Sequence, residues 1–229
     1  MTVKAIDAAK DETIGILGGT GPQGRGLAYR FAAAGLTVVI GSRKADRAED
    51  AAAQIAHAAG SDRVMGATNE DCARQSDIVL VVVPYEGHAE LLTSLSEALA
   101  NRIVVDCVNP MGFDKQGPYA LRVDEGSAAE QARALLPESR VTAAFHHLSA
   151  VLLEDPKVSS IDSDVLVLGD DRAATDAVQV LASAIPGVRG VYGGRLRNAG
   201  QVEALTANLI AVNRRYKAHA GLRVTDLPA

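Results

Sequence analysis

The chain has 229 residues, 48% hydrophobic and 22% charged, with a formal net charge of −5; this fits one or two globular domains of roughly 150 residues and argues against a mainly disordered chain. The acidic balance argues against a nucleic-acid footprint, and with no Trp, three Phe and five Tyr the aromatic platforms that single-strand binders need are scarce. Two cysteines, Cys72 and Cys107, make neither a disulfide scaffold nor a CxxC pair and suit a reducing, cytoplasmic compartment, and aliphatic runs such as 78–83 fall far short of the about 20 residues of a membrane span.

Residues 1–12 read as a polar N-terminal extension without the apolar stretch of a signal peptide. The run Thr13-Ile14-Gly15-Ile16-Leu17 ends in glycines and predicts a buried strand. A helix over 24–34 follows, with Leu27, Phe31 and Ala34 at helical spacing and Gly35 as its stop. Strands are expected at 36–40, 63–67, 78–83 and 103–105, and helices at 44–59 and 88–100. This alternation implies a parallel sheet covered on both faces, an α/β Rossmann-type doubly wound fold. Residues 109–126, with Pro110, Gly112, Gly117 and Pro118, read as a long loop of the kind that often carries function. A helix at 128–136 and a strand at 141–145 lead into His146-His147. A strand at 165–168, a helix at 173–184, a strand at 188–192 and a helix at 199–219 complete the chain. The expected division is a Rossmann domain over 13–145 and a smaller C-terminal α/β portion over 146–229.

The segment Gly19-Thr20-Gly21-Pro22-Gln23-Gly24 fits G-x-G-x-x-G. It follows a predicted strand and opens a predicted helix, which is the context a dinucleotide fingerprint requires. Gly19 allows the turn, Gly21 lets the backbone approach a pyrophosphate, and Gly24 allows close helix packing. The helix start then favours the anion through its free N–H groups and dipole. At the end of the second strand stands Gly41-Ser42-Arg43-Lys44, with Arg47 one turn on, where a carboxylate would mark NAD. A hydroxyl and guanidinium groups suit a 2′-phosphate, so NADP(H) is expected; the alternative is a solvated basic helix start, which the helix dipole disfavours. Val83, Pro84 and Asn109 fall at carboxyl ends of strands, where they either line the cofactor cleft or form ordinary turns.

Taken together, Gly18 to Ala28 joined to Gly41-Ser42-Arg43 resembles the NADP-dependent deazaflavin oxidoreductases, the NADPH-dependent reductases of coenzyme F420. The likeness continues through 78–84, 141–150, 166–171 and 196–203. It implies reversible hydride transfer between NADPH and the deazaflavin, with F420 bound between the Rossmann domain and the C-terminal portion. By matching position it implies that Thr20, Gly21, Pro22 and Gln23 hold the pyrophosphate and that Ser42, Arg43 and Arg47 hold the 2′-phosphate. Val83, Asn109 and Ala150 would lie along the rest of NADP, and His146 and Leu148 would approach the deazaflavin. The chain departs from the pattern at His147-Leu148-Ser149, where a Thr-Ile-Pro-like stretch is expected, and at Tyr85, where Trp is expected.

Hydride transfer between two bound cofactors asks orientation of the protein and little else. His57, His88 and His219 fall on predicted helices and read as ordinary. His146-His147 either contacts a ligand, protonates a reduced ring nitrogen, or is structural; it lacks the i, i+4 spacing of a helical metal site, and no metal is expected. Arg195, Arg197, Arg214, Arg215, Lys217 and Arg223 form either a patch that steers an anionic coenzyme or a solvated face. Val202, Leu205, Leu209, Val212 and Tyr216 form a stripe that packs within the subunit or across a homodimer, the assembly expected here. Cys72 and Cys107 read as small buried hydrophobes. Two rival functions share the glycine loop: an NADP-dependent imine or carbonyl reductase, and a non-catalytic NADP-sensing module.

Overall fold

A computed structural model describes residues 12–227; residues 1–11 of the expected extension lie outside them. Five strands, β1 (Thr13–Leu17), β2 (Thr37–Ser42), β3 (Val64–Thr68), β4 (Ile78–Val81) and β5 (Ile103–Asp106), run parallel in the spatial order 3-2-1-4-5. They are linked by α1 (Pro22–Ala33), α2 (Ala45–Ala59), α3 (Asn69–Gln75) and α4 (His88–Ser94). Both faces of the sheet are apolar, so the strands read as continuous hydrophobic runs. Alternation still sorts the side chains. Val38, Ile40, Ile78, Leu80, Ile103 and Val105 join one core cluster, while Val39, Val79, Val81 and Val104 join the other.

Beyond β5 come a hairpin of β6 (Met111–Asp114) and β7 (Gly117–Ala120), then α5 (Ala128–Leu135), β8 (Arg140–Ala143), α6 (Ala150–Glu154), β9 (Ser163–Gly169), α7 (Arg172–Ser183), β10 (Val188–Gly194) and α8 (Ala199–Tyr216). Strand β8 pairs parallel with β5; β9 pairs antiparallel with β8, and β10 parallel with β9. One eight-stranded sheet therefore runs from β3 to β10, and its hydrogen bonding crosses the expected 145/146 boundary.

Several elements differ from expectation for local reasons. The loop at 109–126 contains the β6–β7 hairpin, whose turn is closed by Asp114 Oδ1 accepting from the N–H groups of Gln116 and Gly117. The helix expected to reach residue 100 ends at Ser94. Successive turns follow, and they bury Leu95, Ala98 and Leu99. Helices α3 and α6, seven and five residues long, are too short to show a period. The last helix ends at Tyr216, with Lys217 in the left-handed conformation.

Candidate functional site

The carboxyl ends of β1, β4, β5 and β8 share one edge of the sheet, and the strand order reverses between β1 and β4. Ligands of doubly wound sheets bind there. A cleft of about 470 Å³ opens at this edge. Its walls bring together Gly21, Pro22, Gln23 and Gly24 with Val83 and Pro84, Asn109, His146, Leu148 and Ala150. Gly19, Thr20, Ser42, Arg43 and Arg47 stand outside these walls.

The turn after β1 is built by sterics. Gly18 is its left-handed residue, at φ 73°, and a Cβ there would stand 2.5 Å from the Val82 carbonyl oxygen. The turn's conformational freedom thus belongs to Gly18, one residue before the motif. Gly19 is instead close-packed, donating to the carbonyls of Ile16 and Gly41 at 3.2 and 3.1 Å. A Cβ on Gly24 would meet Gly19 Cα at 2.7 Å, so α1 packs directly on the turn. Gly21 differs from both: the nearest atom to a Cβ there is 3.7 Å away. Space beside Gly21 is open to an approaching group. No side chain caps α1, so the N–H groups of Gln23 and Gly24 have no acceptor within the helix.

Because Gly19 bonds Gly41, the end of β2 lies beside this turn. Ser42 is buried there, while Arg43, Lys44 and Arg47 are exposed. Among the described residues the Arg43 and Arg47 guanidinium groups have no hydrogen-bonding or ion-pair partner. Sequence patterns did not single out Asn69, which is buried at the start of α3 with Oδ1 unpartnered. A Cβ on Gly41 would stand 2.9 Å from that oxygen. The available signal was the capping pair Thr68 and Asp71 around it.

On the opposite wall, Phe145 takes a left-handed φ of 64° that turns the chain from β8 into the cleft. Its ring packs edge-on against Phe31, and its carbonyl accepts from Gln23 Nε2 at 3.2 Å. These contacts hold a conformation that costs about 1–3 kcal/mol. His146 follows, buried, with both ring nitrogens unpartnered. Burial, and secondarily the neighbouring His147, push its pKa down to about 3. Burial thus disfavours the imidazolium form of His146. His147 donates from Nε2 to the Asp164 carbonyl at 3.1 Å; burial lowers its pKa too.

Asn109 is fixed from two sides. Its Nδ2 donates to the His146 carbonyl at 2.9 Å, and its Oδ1 accepts from Thr206 at 3.2 Å. Thr206, Leu209, Ile210 and Asn213 form the cleft face of α8. The apolar stripe expected on that helix hid this face. Of the stripe, Val202 is buried, Leu205 and Leu209 are half-buried, and Val212 and Tyr216 are exposed, so it packs within the subunit only in its first half.

Behind Asn109 lies a buried His88–Asp106 pair. His88 Nε2 meets Asp106 Oδ2 at 2.6 Å, and His88 Nδ1 meets Gln131 Oε1 at 3.0 Å. Gln131 Nε2 donates to Glu125, which turns its oxygen toward the ring. Both ring nitrogens face oxygen acceptors, an arrangement that favours the imidazolium form. Burial opposes that charge, but the hydrogen bond and charge of Asp106 outweigh it and raise the pKa. His88 lies on the expected helix, bonded through both ring nitrogens and outside the cleft walls. Asp106 Oδ1 accepts from Val108 N–H at 3.0 Å, fixing the segment that carries Asn109. Nearby, the buried Glu203 carboxylate accepts from the N–H groups of Ala128 and Ala129 at the start of α5. Burial pushes its pKa up to about 7, against the opposing pull of those N–H groups.

Both cysteines are buried, and burial raises both thiols, Cys72 to about 12. In the basic C-terminal set, Arg195 pairs with Asp170, and Arg223 with Asp162 and Asp164. Arg197, Arg214, Arg215 and Lys217 are exposed. No helix among the described residues is long and apolar enough to cross a membrane.

A sequence profile described as NADP oxidoreductase, coenzyme F420-dependent, matches residues 13–110. The F420-dependent NADP reductase of Methanothermobacter thermautotrophicus is 40% identical, over 94% of this chain and 95% of its own. That of Methanocaldococcus jannaschii is 38% identical, over 93% and 98%. The crystal structure of a candidate F420-dependent NADP-reductase from Arthrobacter sp. FB24 superposes with a TM-score of 0.78. It is 26% identical, with 93% of this chain and 99% of that one covered.

Proposed function

Because the chain belongs to the coenzyme F420-dependent NADP oxidoreductases, we propose that its cleft binds NADP(H) and F420 together and that the protein is the enzyme that passes hydride between them. The carrying observation is the single cleft that joins the uncapped start of α1 to Asn109, His146 and Leu148. The residues present fit both groups. Open space beside Gly21 and free N–H groups suit a pyrophosphate. Unpartnered guanidinium groups at Arg43 and Arg47 beside Ser42 suit a 2′-phosphate. The two orphaned ring nitrogens of His146 suit a ligand with polar edges.

In this reading Thr20, Gly21, Pro22 and Gln23 hold the pyrophosphate, and Gly19 and Gly24 shape the turn that presents them. Ser42, Arg43 and Arg47 hold the 2′-phosphate. Val83, Asn109 and Ala150 lie along the remainder of NADP, while His146 and Leu148 face the deazaflavin. When bound, the two would supply reversible hydride transfer between nicotinamide and deazaflavin, with one proton exchanged with solvent. The protein's share is orientation, which supplies most of what such a transfer needs. Neutral His146 contributes as a hydrogen-bonding wall. Residues 13–145 serve as the NADP domain and 146–229 as the deazaflavin portion, and the enzyme works as a cytoplasmic homodimer. Reduced thiols at Cys72 and Cys107 and the exposed Val212 and Tyr216 of α8 support this setting.

The test is spectroscopic. Purified protein with oxidised F420 is expected to bleach its visible band rapidly with NADPH and far more slowly with NADH. Binding of NADPH without bleaching would overturn the reading.

A further inference from the structure

Past α8 the chain doubles back across the mouth of the cleft. Ala220 N–H donates to Asn213 Oδ1 at 2.6 Å, His219 Nδ1 meets Ser149 Oγ at 3.3 Å, and Ala220 itself forms part of the cleft wall. The strap then lies on the start of β9. Asp164 N–H donates to the Leu222 carbonyl at 2.6 Å, and Leu222 N–H donates to Ser163 Oγ at 3.2 Å. A Cβ on Gly221 would stand 2.6 Å from Ser163 Oγ, so only glycine lets the strap lie this close.

Asp164 holds the strap down. Its carboxylate is fully buried and accepts four hydrogen bonds: a fork from Arg189 Nε and Nη2, both at 2.7 Å, Arg223 Nη1 at 2.8 Å and Val224 N–H at 2.6 Å. The Arg189 fork, first among these contacts, holds the carboxyl well below the usual carboxylate range despite burial. Its backbone carbonyl also accepts from His147. One residue thus ties the strap to the His146–Leu148 turn, and both line the cleft. A buried carboxylate is a costly way to join a strand to a tail, and its return is fixed geometry.

We propose that Asp164 is a positioning residue for the deazaflavin, setting the distance between the strap at Ala220 and the turn at His146–Leu148. The NADP half of the cleft, built on α1, β2 and β4, makes no hydrogen bond to Asp164. The inference rests on the proposed function and predicts a split between the two substrates. In the full-length protein, Asp164→Asn is expected to raise the KM for F420 at least tenfold, lower kcat less than threefold, and leave the Kd for NADP+ within twofold. Gly221→Ala makes the same test from the strap side should Asp164→Asn fail to fold. Equal losses for both substrates, or an unchanged KM for F420 in a folded variant, would overturn it. Wild-type protein assayed alongside keeps the readings apart: absence of wild-type turnover refutes the proposed function, whereas wild-type turnover with an unaffected variant refutes only the role of Asp164.

Discussion

Arg43 is an exposed guanidinium at the tip of β2, without a partner among the described residues. A charge-assisted hydrogen bond to a 2′-phosphate contributes about 1.5–3 kcal/mol, so Arg43→Ala is expected to raise the KM for NADPH roughly 10- to 100-fold. The turnover number should fall much less, because the lost contact is remote from the transferred hydride. Steady-state kinetics with NADPH and NADH decide this, and an unchanged KM for NADPH would refute the assignment. Glu203 offers a test of the buried network. Its folded pKa of about 7 exceeds the ordinary 4.5, so the folded state disfavours its ionised form. The stability it contributes is complete below pH 4.5 and is lost as pH rises through about 7, by roughly 3 kcal/mol. Glu203→Gln should therefore lose less stability than wild type between pH 5 and pH 8, read as denaturation midpoints; identical pH dependences would contradict the burial argument. His146 acts in the opposite sense. Its folded pKa of about 3 lies below 6.5, so its stability is lost as pH falls from about 6.5 toward 3.

At the scale of elements, α6 shows how a five-residue helix is held. Arg30 of α1 is buried and donates to the carbonyls of Leu152, Leu153, Asp155 and Val158. It satisfies the orphan carbonyls at the end of α6 and places a cation at the negative end of the helix. The two helices also touch closely, since a Cβ on Gly26 would stand 2.5 Å from Leu153 Cβ. Arg30→Met keeps the apolar stem and removes the donors. It should cost about 3 kcal/mol of stability through unsatisfied carbonyls, measured by urea unfolding, and should weaken NADP+ binding because Ala150 begins α6. An unfolding free energy within about 0.5 kcal/mol of wild type would show that water replaces the guanidinium.

For the whole molecule, the sheet runs unbroken from β3 to β10 although its last two strands reverse direction. The cleft therefore sits between parts of one continuous framework. The outer half of α8, which packs on β7, exposes Tyr216 at 73%, and the hairpin exposes Phe113 at 61% and Tyr119 at 47%. Such apolar surface is expected to be covered in a homodimer. Sedimentation equilibrium should give about twice the 23.8 kDa chain mass, and Tyr216→Glu should shift it toward the monomer. A wild-type monomer at micromolar concentration would refute the assembly.

By itself the sequence determined the doubly wound half of the fold, because buried strands, glycine stops and a glycine-rich strand-to-helix turn are local signals with local causes. It also indicated the family, through residues spread along most of the chain. The glycine loop alone would have left an imine or carbonyl reductase equally open, since that loop recognises only the dinucleotide. Tertiary structure decided what depends on distant residues meeting. Gly18 carries the turn because Val82 crowds it. The His88 pKa is raised because Asp106 and Gln131 converge on it from other elements. Thr206 matters because it reaches Asn109, 97 positions away, and Asp164 because a tail some 60 positions on folds back to its carboxylate. None of these has a period or a motif. Each exists because a buried polar group must find its partners wherever the fold delivers them.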